Sequence, residues 1–135
     1  MAILFTWTLT SNRAMADFRT IDTLGDLSGQ RVLVRADLNV PMNGGDVTDD
    51  TRIRAIKPTV DELLAKGARV VLLSHFGRPK GKVVPDASLE RIVKSVAKVL
   101  GTAVGFSTDC IGDTAKSAIS TNEIVLLENL RFYPG

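Results

Sequence analysis

The hydrophobic positions of this chain change period as it is read. Residues 31–36, 69–74, 103–106 and 124–127 form short runs rich in Val, Leu and Ala, bounded by Gly, Ser, Asn or charged residues. Between them, apolar positions recur three and four apart. The first set is Ile53, Ile56, Val60, Leu63 and Leu64; the second is Leu89, Ile92, Val93, Val96, Val99 and Leu100. Short apolar runs read as strands, and the 3.6-residue period reads as amphipathic helix. The spacing predicts a helix that Asp50 or Thr51 can cap, running to about Lys66 and stopping at Gly67. Pro58 lies inside it and lacks a backbone donor, so a kink or a split near Lys57 is expected. Ser88 caps a second helix that Gly101 ends, and residues 111–119 supply a shorter third behind Asp109. Gly44-Gly45-Asp46 marks a turn or short hairpin ahead of the first helix.

Strand and helix therefore alternate from residue 31 to residue 127. That alternation predicts an α/β fold, a Rossmann-like three-layer αβα arrangement with a parallel sheet and right-handed crossovers. The first strand is nearly continuous in apolar residues, as expected of one covered on both faces. Parallel strands put their carboxyl ends on one edge, where open α/β sheets bind ligands. Arg35, Asp37 and Asn39 follow the first strand, His75 and Arg78 the second, Asn129 and Arg131 the last, and Arg52 opens the first helix.

Composition narrows the function classes. The chain has 135 residues, 44% hydrophobic and 24% charged, enough for one domain with its own core. A formal charge of +2 implies no bulk surface for nucleic acid, and no apolar run approaches a membrane span. One cysteine, Cys110, excludes an intrachain disulfide and a multi-cysteine metal site, and fits a reducing compartment. One histidine, His75, excludes paired-histidine zinc motifs. Residues 1–14 differ from the rest: apolar, Thr-rich, containing Trp7, and without Lys or Arg before Arg13. Met15-Ala-Asp-Phe-Arg reads as a natural start, so residues 1–14 are expected to be an extension outside the fold. The rival is an added strand or arm that packs Phe5 and Trp7.

Four arginines and a histidine at one edge point to an anion with several charged oxygens, because guanidinium forks bind carboxylate and phosphate bidentately. Asp37 and Asn39 suit a hydroxyl, whose proton an aspartate accepts. Together they describe a small phosphorylated hydroxy acid. Each residue also has a plain reading: Arg35 and Asp37 as a surface pair, His75 and Arg78 as loop residues, Arg52 as a solvated cation. The joint placement carries the inference. Two nucleotide motifs fail: Gly77-Arg-Pro-Lys-Gly81-Lys82 has three residues between its glycines and no Ser or Thr after Lys82, and no Gly-x-Gly-x-x-Gly follows the first strand.

Those same residues carry a family resemblance. Val34-Arg35-Ala36-Asp37-Leu38-Asn39-Val40-Pro41 resembles a signature of the phosphoglycerate kinases, as does Thr51-Arg52-Ile53-Arg54-Ala55-Ile56-Lys57-Pro58-Thr59. Ser74-His75-Phe76-Gly77-Arg78-Pro79-Lys80-Gly81 and Leu127-Glu128-Asn129-Leu130-Arg131-Phe132 match further blocks, in order, from about Phe18 to the end. The resemblance implies a cytoplasmic glycolytic kinase, usually monomeric. It moves a phosphoryl group reversibly between 1,3-bisphosphoglycerate and ADP, giving 3-phosphoglycerate and ATP. It also implies two domains: residues 15–135 would be an incomplete N-terminal, phosphoglycerate-binding domain, with Mg-ATP or Mg-ADP held by a C-terminal domain outside this chain. By resemblance Arg52 is catalytic and also binds substrate. Asp37 and Asn39 contact the hydroxy-acid end, His75, Arg78 and Arg131 grip the non-reacting phosphate, and Arg35 supports the basic face. The 135 residues are expected to be inactive alone. The alternatives are a non-enzymatic anion-binding or interaction module, and a nucleotide-binding Rossmann domain that the missing glycine motif disfavours.

Overall fold

A computed structural model describes residues 3–5 and 20–133. A five-stranded sheet carries strands β1 (Ile3–Phe5), β2 (Arg31–Arg35), β5 (Arg69–Leu73), β6 (Gly105–Ser107) and β7 (Ile124–Leu127), in the order β1-β2-β5-β7-β6. A separate hairpin pairs β3 (Met42–Asn43) with β4 (Asp46–Val47) across Gly44-Gly45. Three α-helices, α1 (Thr51–Ala65), α2 (Val93–Leu100) and α3 (Gly112–Thr121), connect the main strands. Strands β2, β5, β7 and β6 are mutually parallel, and only β1 runs antiparallel, against β2. Of residues 1–14, Ile3–Phe5 thus form an added strand, whereas Trp7 and the rest of that segment lie outside the described residues.

Strand order dictates which face each helix covers. The chain steps from β2 to β5 and on to β6 in one direction, then reverses to insert β7 between β5 and β6. Crossovers of one hand put α1 and α2 on one face and α3, whose step is reversed, on the other. The buried clusters agree. Ile53, Ile56, Val60 and Leu63 of α1 and Val96 and Leu100 of α2 pack on Val32, Val34, Val70, Leu72, Ile124 and Leu126. Ala115 of α3, with Ala118 and Ile119, packs on Val71, Val125 and Leu127. Truncating a fully buried member such as Leu63 or Leu72 to alanine removes about 2–5 kcal/mol.

Central and edge strands differ. All four residues of β7 are buried, but β2 alternates, with Val32 and Val34 buried and Leu33 43% exposed. The expectation that β2 is covered on both faces is therefore corrected: α3 lies over β5 and β7 and leaves the second face of β2 open. The expected break at Pro58 is also absent, since α1 is continuous from Thr51 to Ala65. Pro58 is exposed, and it leaves the Arg54 carbonyl without its helical donor.

Helix α1 starts where expected, with Asp50 in the capping position, but the Asp50 side chain makes no capping bond. Asp49 Oδ1, not Asp50 or Thr51, accepts from Thr51 N at 2.9 Å and from Thr51 Oγ1 at 2.5 Å. Gly67 follows with φ +84, and a Cβ there would stand 2.7 Å from Ser28 Oγ, so both conformation and space demand glycine. Ser88 does act as a cap, accepting from Glu90 N at 3.2 Å. It starts a 3-10 turn, Leu89–Ile92, that leads into α2. The third parallel strand is Gly105–Ser107 rather than 103–106, because its register against Val125, Leu126 and Leu127 decides its limits.

Candidate functional site

The polar residues of the carboxyl edge arise from an alternation that outlasts β2. Val32, Val34, Ala36, Leu38 and Val40 are buried, so Arg35, Asp37 and Asn39 must face the other way. Backbone bonds hold this extended exit in place: Ala36 N donates to Leu73 O at 2.9 Å, and Leu38 N to the buried Ser74 Oγ at 3.0 Å. The path of residues 36–40 is thus locked to the end of β5.

Asp37, Asn39 and Arg52 form one wall. Arg52 Nη1 lies 3.2 Å from Asp37 Oδ1 and donates to the Asn39 carbonyl at 2.6 Å. Asp37 Oδ1 also accepts from Asn39 N at 3.1 Å. The Asp37–Arg52 pair is about half exposed on each side, so water screens it and it adds little stability. Asn39, Arg52, Asp49, Val40 and Pro41 line a shallow cavity of about 410 Å³ beside it.

A second wall is basic. Arg35, His75, Arg78, Lys80, Lys82 and Arg131, with Leu130 and Tyr133, line a cleft of about 830 Å³. The ion pairs among the described residues are Arg52–Asp37, Arg54–Asp50 and Lys57–Asp61, so none of the cleft cations is matched by a carboxylate there. Burial of His75, followed by the charges of Arg131, Arg35 and Arg52, pushes its pKa below the ordinary 6.5, opposed by Asp37. His75 is accordingly neutral at pH 7.

Gly77 joins the walls: its N–H donates to Asn39 Oδ1 at 3.2 Å and its carbonyl accepts from Arg131 Nη1 at 3.0 Å. Beneath it sits Asn129, which the sequence places at the same edge. It is fully buried and donates through Nδ2 to the Phe76 and Ala87 carbonyls, both at 2.7 Å. Its Oδ1 accepts from Arg131 N at 3.0 Å, so it positions Arg131 rather than facing ligand. Glu128, also buried, accepts from Ser88 Oγ at 2.7 Å and Leu89 N at 3.0 Å, fixing the start of the helical segment beside the cleft.

All seven expected site residues thus reach one edge. Arg35, His75, Arg78 and Arg131 share the basic cleft, and Asp37, Asn39 and Arg52 share the adjoining wall. Sequence reasoning did not single out Lys80, Lys82 or Tyr133. The lysines had a signal, two cations in the same loop as His75 and Arg78. Tyr133 had none, because its hydroxyl donates to Asp109 on the exit of β6, a contact only the fold creates. Cys110 is no nucleophile: burial first, then Asp109 and Glu128, push its pKa up to about 11, and Sγ donates to the Glu128 carbonyl at 2.7 Å. Among the described residues no group of three or more His, Cys, Asp and Glu side chains is placed to hold a metal ion, and no helix is long and apolar enough to cross a membrane.

Comparison with known proteins gives this edge a lineage. The chain is 53% identical over 124 residues to a phosphoglycerate kinase of Allorhizobium ampelinum, covering 90% of this chain and 31% of that protein. It is 55% identical over 122 residues to a phosphoglycerate kinase of Mesorhizobium japonicum, covering 88% of this chain and 31% of that protein. The chain therefore spans under a third of the length of these relatives. The crystal structure of phosphoglycerate kinase from Pyrococcus horikoshii OT3 superposes with a TM-score of 0.72 at 32% identity, over 85% of this chain and 28% of that one. A sequence model of the phosphoglycerate kinases matches residues 21–135, and on that match the chain belongs to the phosphoglycerate kinase family.

Proposed function

We propose that this chain carries the phosphoglycerate-binding part of a cytoplasmic glycolytic phosphoglycerate kinase, which transfers a phosphoryl group reversibly between 1,3-bisphosphoglycerate and ADP. The observation that supports it best is the pairing, on one edge, of a basic cleft with no salt-bridge partners among the described residues and an adjoining wall of Asp37, Asn39 and Arg52. In this reading Arg35, His75, Arg78 and Arg131 hold the non-reacting phosphate. Asp37 accepts from the substrate hydroxyl while Asn39 donates to it or accepts from it. Arg52, held by Asp37 and the Asn39 carbonyl, meets the carboxyl or acyl-phosphate end and stabilises charge on the transferring group. Phosphoryl transfer asks for positioning and charge rather than covalent participation, and these residues supply both.

The family resemblance implies a magnesium-nucleotide as the second substrate. In this reading it belongs to a further nucleotide domain, and residues 15–135 act as one substrate-binding unit beside an N-terminal extension. The test is a titration of the 135-residue chain with 3-phosphoglycerate followed by amide NMR shifts. Shifts centred on Asp37, Arg52, His75 and Arg131 are expected. No shift at millimolar ligand would remove the reading, and shifts with NAD or ATP alone would replace it with a nucleotide-binding one. A coupled assay on the same chain is expected to show no turnover.

A further inference from the structure

Lys80 is the one non-glycine among the described residues with a positive φ, +55. Lys82 N donates to the Pro79 carbonyl at 3.3 Å, closing a turn whose two central residues, Lys80 and Gly81, both have positive φ. Glycine and asparagine are the usual occupants of such a turn, because a longer side chain is strained there. The turn is nonetheless tied down on both sides. Gly81 N donates to the Arg131 carbonyl at 3.0 Å, and Arg131 Nη1 returns to the Gly77 carbonyl at 3.0 Å. Pro79 is buried beneath it, while Lys80 and Lys82 are exposed and line the basic cleft with Arg35, His75 and Arg131.

A strained lysine on an anchored turn, on a cleft whose lining residues include no carboxylate, is explained by what its ammonium does. We infer that Lys80 and Lys82 are phosphate-contacting residues, which add their charge to that of Arg35 and His75 around the non-reacting phosphate. The inference rests on the reading above that the cleft holds such a phosphate. Arg131 then has two tasks: its guanidinium is a cation of the cleft, and its backbone carbonyl holds the turn that carries the lysines.

Lys80→Gly separates charge from conformation. Glycine suits the turn, so the variant should fold and its thermal midpoint should rise by about 2–5 °C. Its affinity for 3-phosphoglycerate, by NMR titration at low salt, should nevertheless fall about threefold to fivefold. Lys82→Ala should lose a similar amount, and Lys80→Arg should stay within about twofold of the parent. The losses should shrink as salt is raised toward about 1 M, where screening is short-ranged. Lys98→Ala, near the carboxyl end of α2 and outside the cleft, should bind like the parent. Unchanged affinity in Lys80→Gly and Lys82→Ala would overturn the inference and leave the substrate reading standing. So would an equal loss in Lys98→Ala, which would make the effect one of net charge. Failure of the parent chain to bind would remove the substrate reading and the inference with it.

Discussion

The two walls of the site hold cations in opposite ways. Arg52 is already occupied, with a carboxylate and a carbonyl within hydrogen-bonding distance of one guanidinium nitrogen. Arg35, Arg78, Lys80 and Lys82 line a cleft in which none of them has a salt bridge among the described residues. The first wall is organised before ligand arrives and fixes an orientation. The second gathers cations without a salt-bridge partner among the described residues, so it should supply most of the binding energy and most of its salt dependence. Mutations that separate these roles test the comparison directly.

The largest effect is expected beneath the basic wall. Asn129→Ala leaves the Phe76 and Ala87 carbonyls without their donor in the interior and Arg131 N, partly buried, without its acceptor. A loss of about 3 kcal/mol is expected, read as a lower urea midpoint at unchanged slope. Next comes Arg131→Ala, which removes a cleft cation and the tie to Gly77. It should weaken 3-phosphoglycerate binding about tenfold or more, whereas an affinity within twofold of the parent would mean that the basic wall does not hold the phosphate.

The pH response sharpens the same contrast. His75 has a folded-state pKa below 6.5, so the neutral ring is favoured in the folded chain. Its contribution to stability is present above about pH 6.5 and is lost as pH falls from there toward the lowered value. A bound anion reverses the effect of the arginines, so sulfate affinity should rise as pH falls through the same window. Sulfate keeps a constant charge across that range and isolates the protein's titration. His75→Gln should abolish the slope, and a slope that survives would assign the titration elsewhere. The smallest effect belongs to the paired wall. Asp37→Asn keeps the acceptor for Asn39 N but removes the charge facing Arg52. Its unfolding free energy should change by less than about 1 kcal/mol, since the pair is half exposed.

Several parts of this picture were legible in the residues. The strand at 124–127 and the helix stripe Ile53, Ile56, Val60 and Leu63 appear where the pattern puts them, because burial imposes the period. The family membership was also legible, since four motifs occur in order. Other features were not. A run such as Arg31 to Arg35 looks the same whether one face is covered or two, and only the reach of α3 leaves Leu33 exposed. Pro58 looks like a break, yet α1 runs through it from Thr51 to Ala65. Asn129 and Arg131 are two residues apart and both polar, yet one is fully buried and the other lines the cleft.

By itself the sequence determined which residues can be strand, helix and turn, and that Arg35, Asp37, Asn39, Arg52, His75, Arg78 and Arg131 share the carboxyl edge. Periodicity and strand polarity are local properties, and they suffice for that. Only the tertiary structure decided how the edge divides into a compensated wall and an uncompensated cleft. That division depends on which side chains meet across loops 38 to 54 residues apart, through Gly77, Asn39, Arg131 and Asn129. Ion pairing and desolvation act over a few ångströms in space, and no spacing along the chain encodes them.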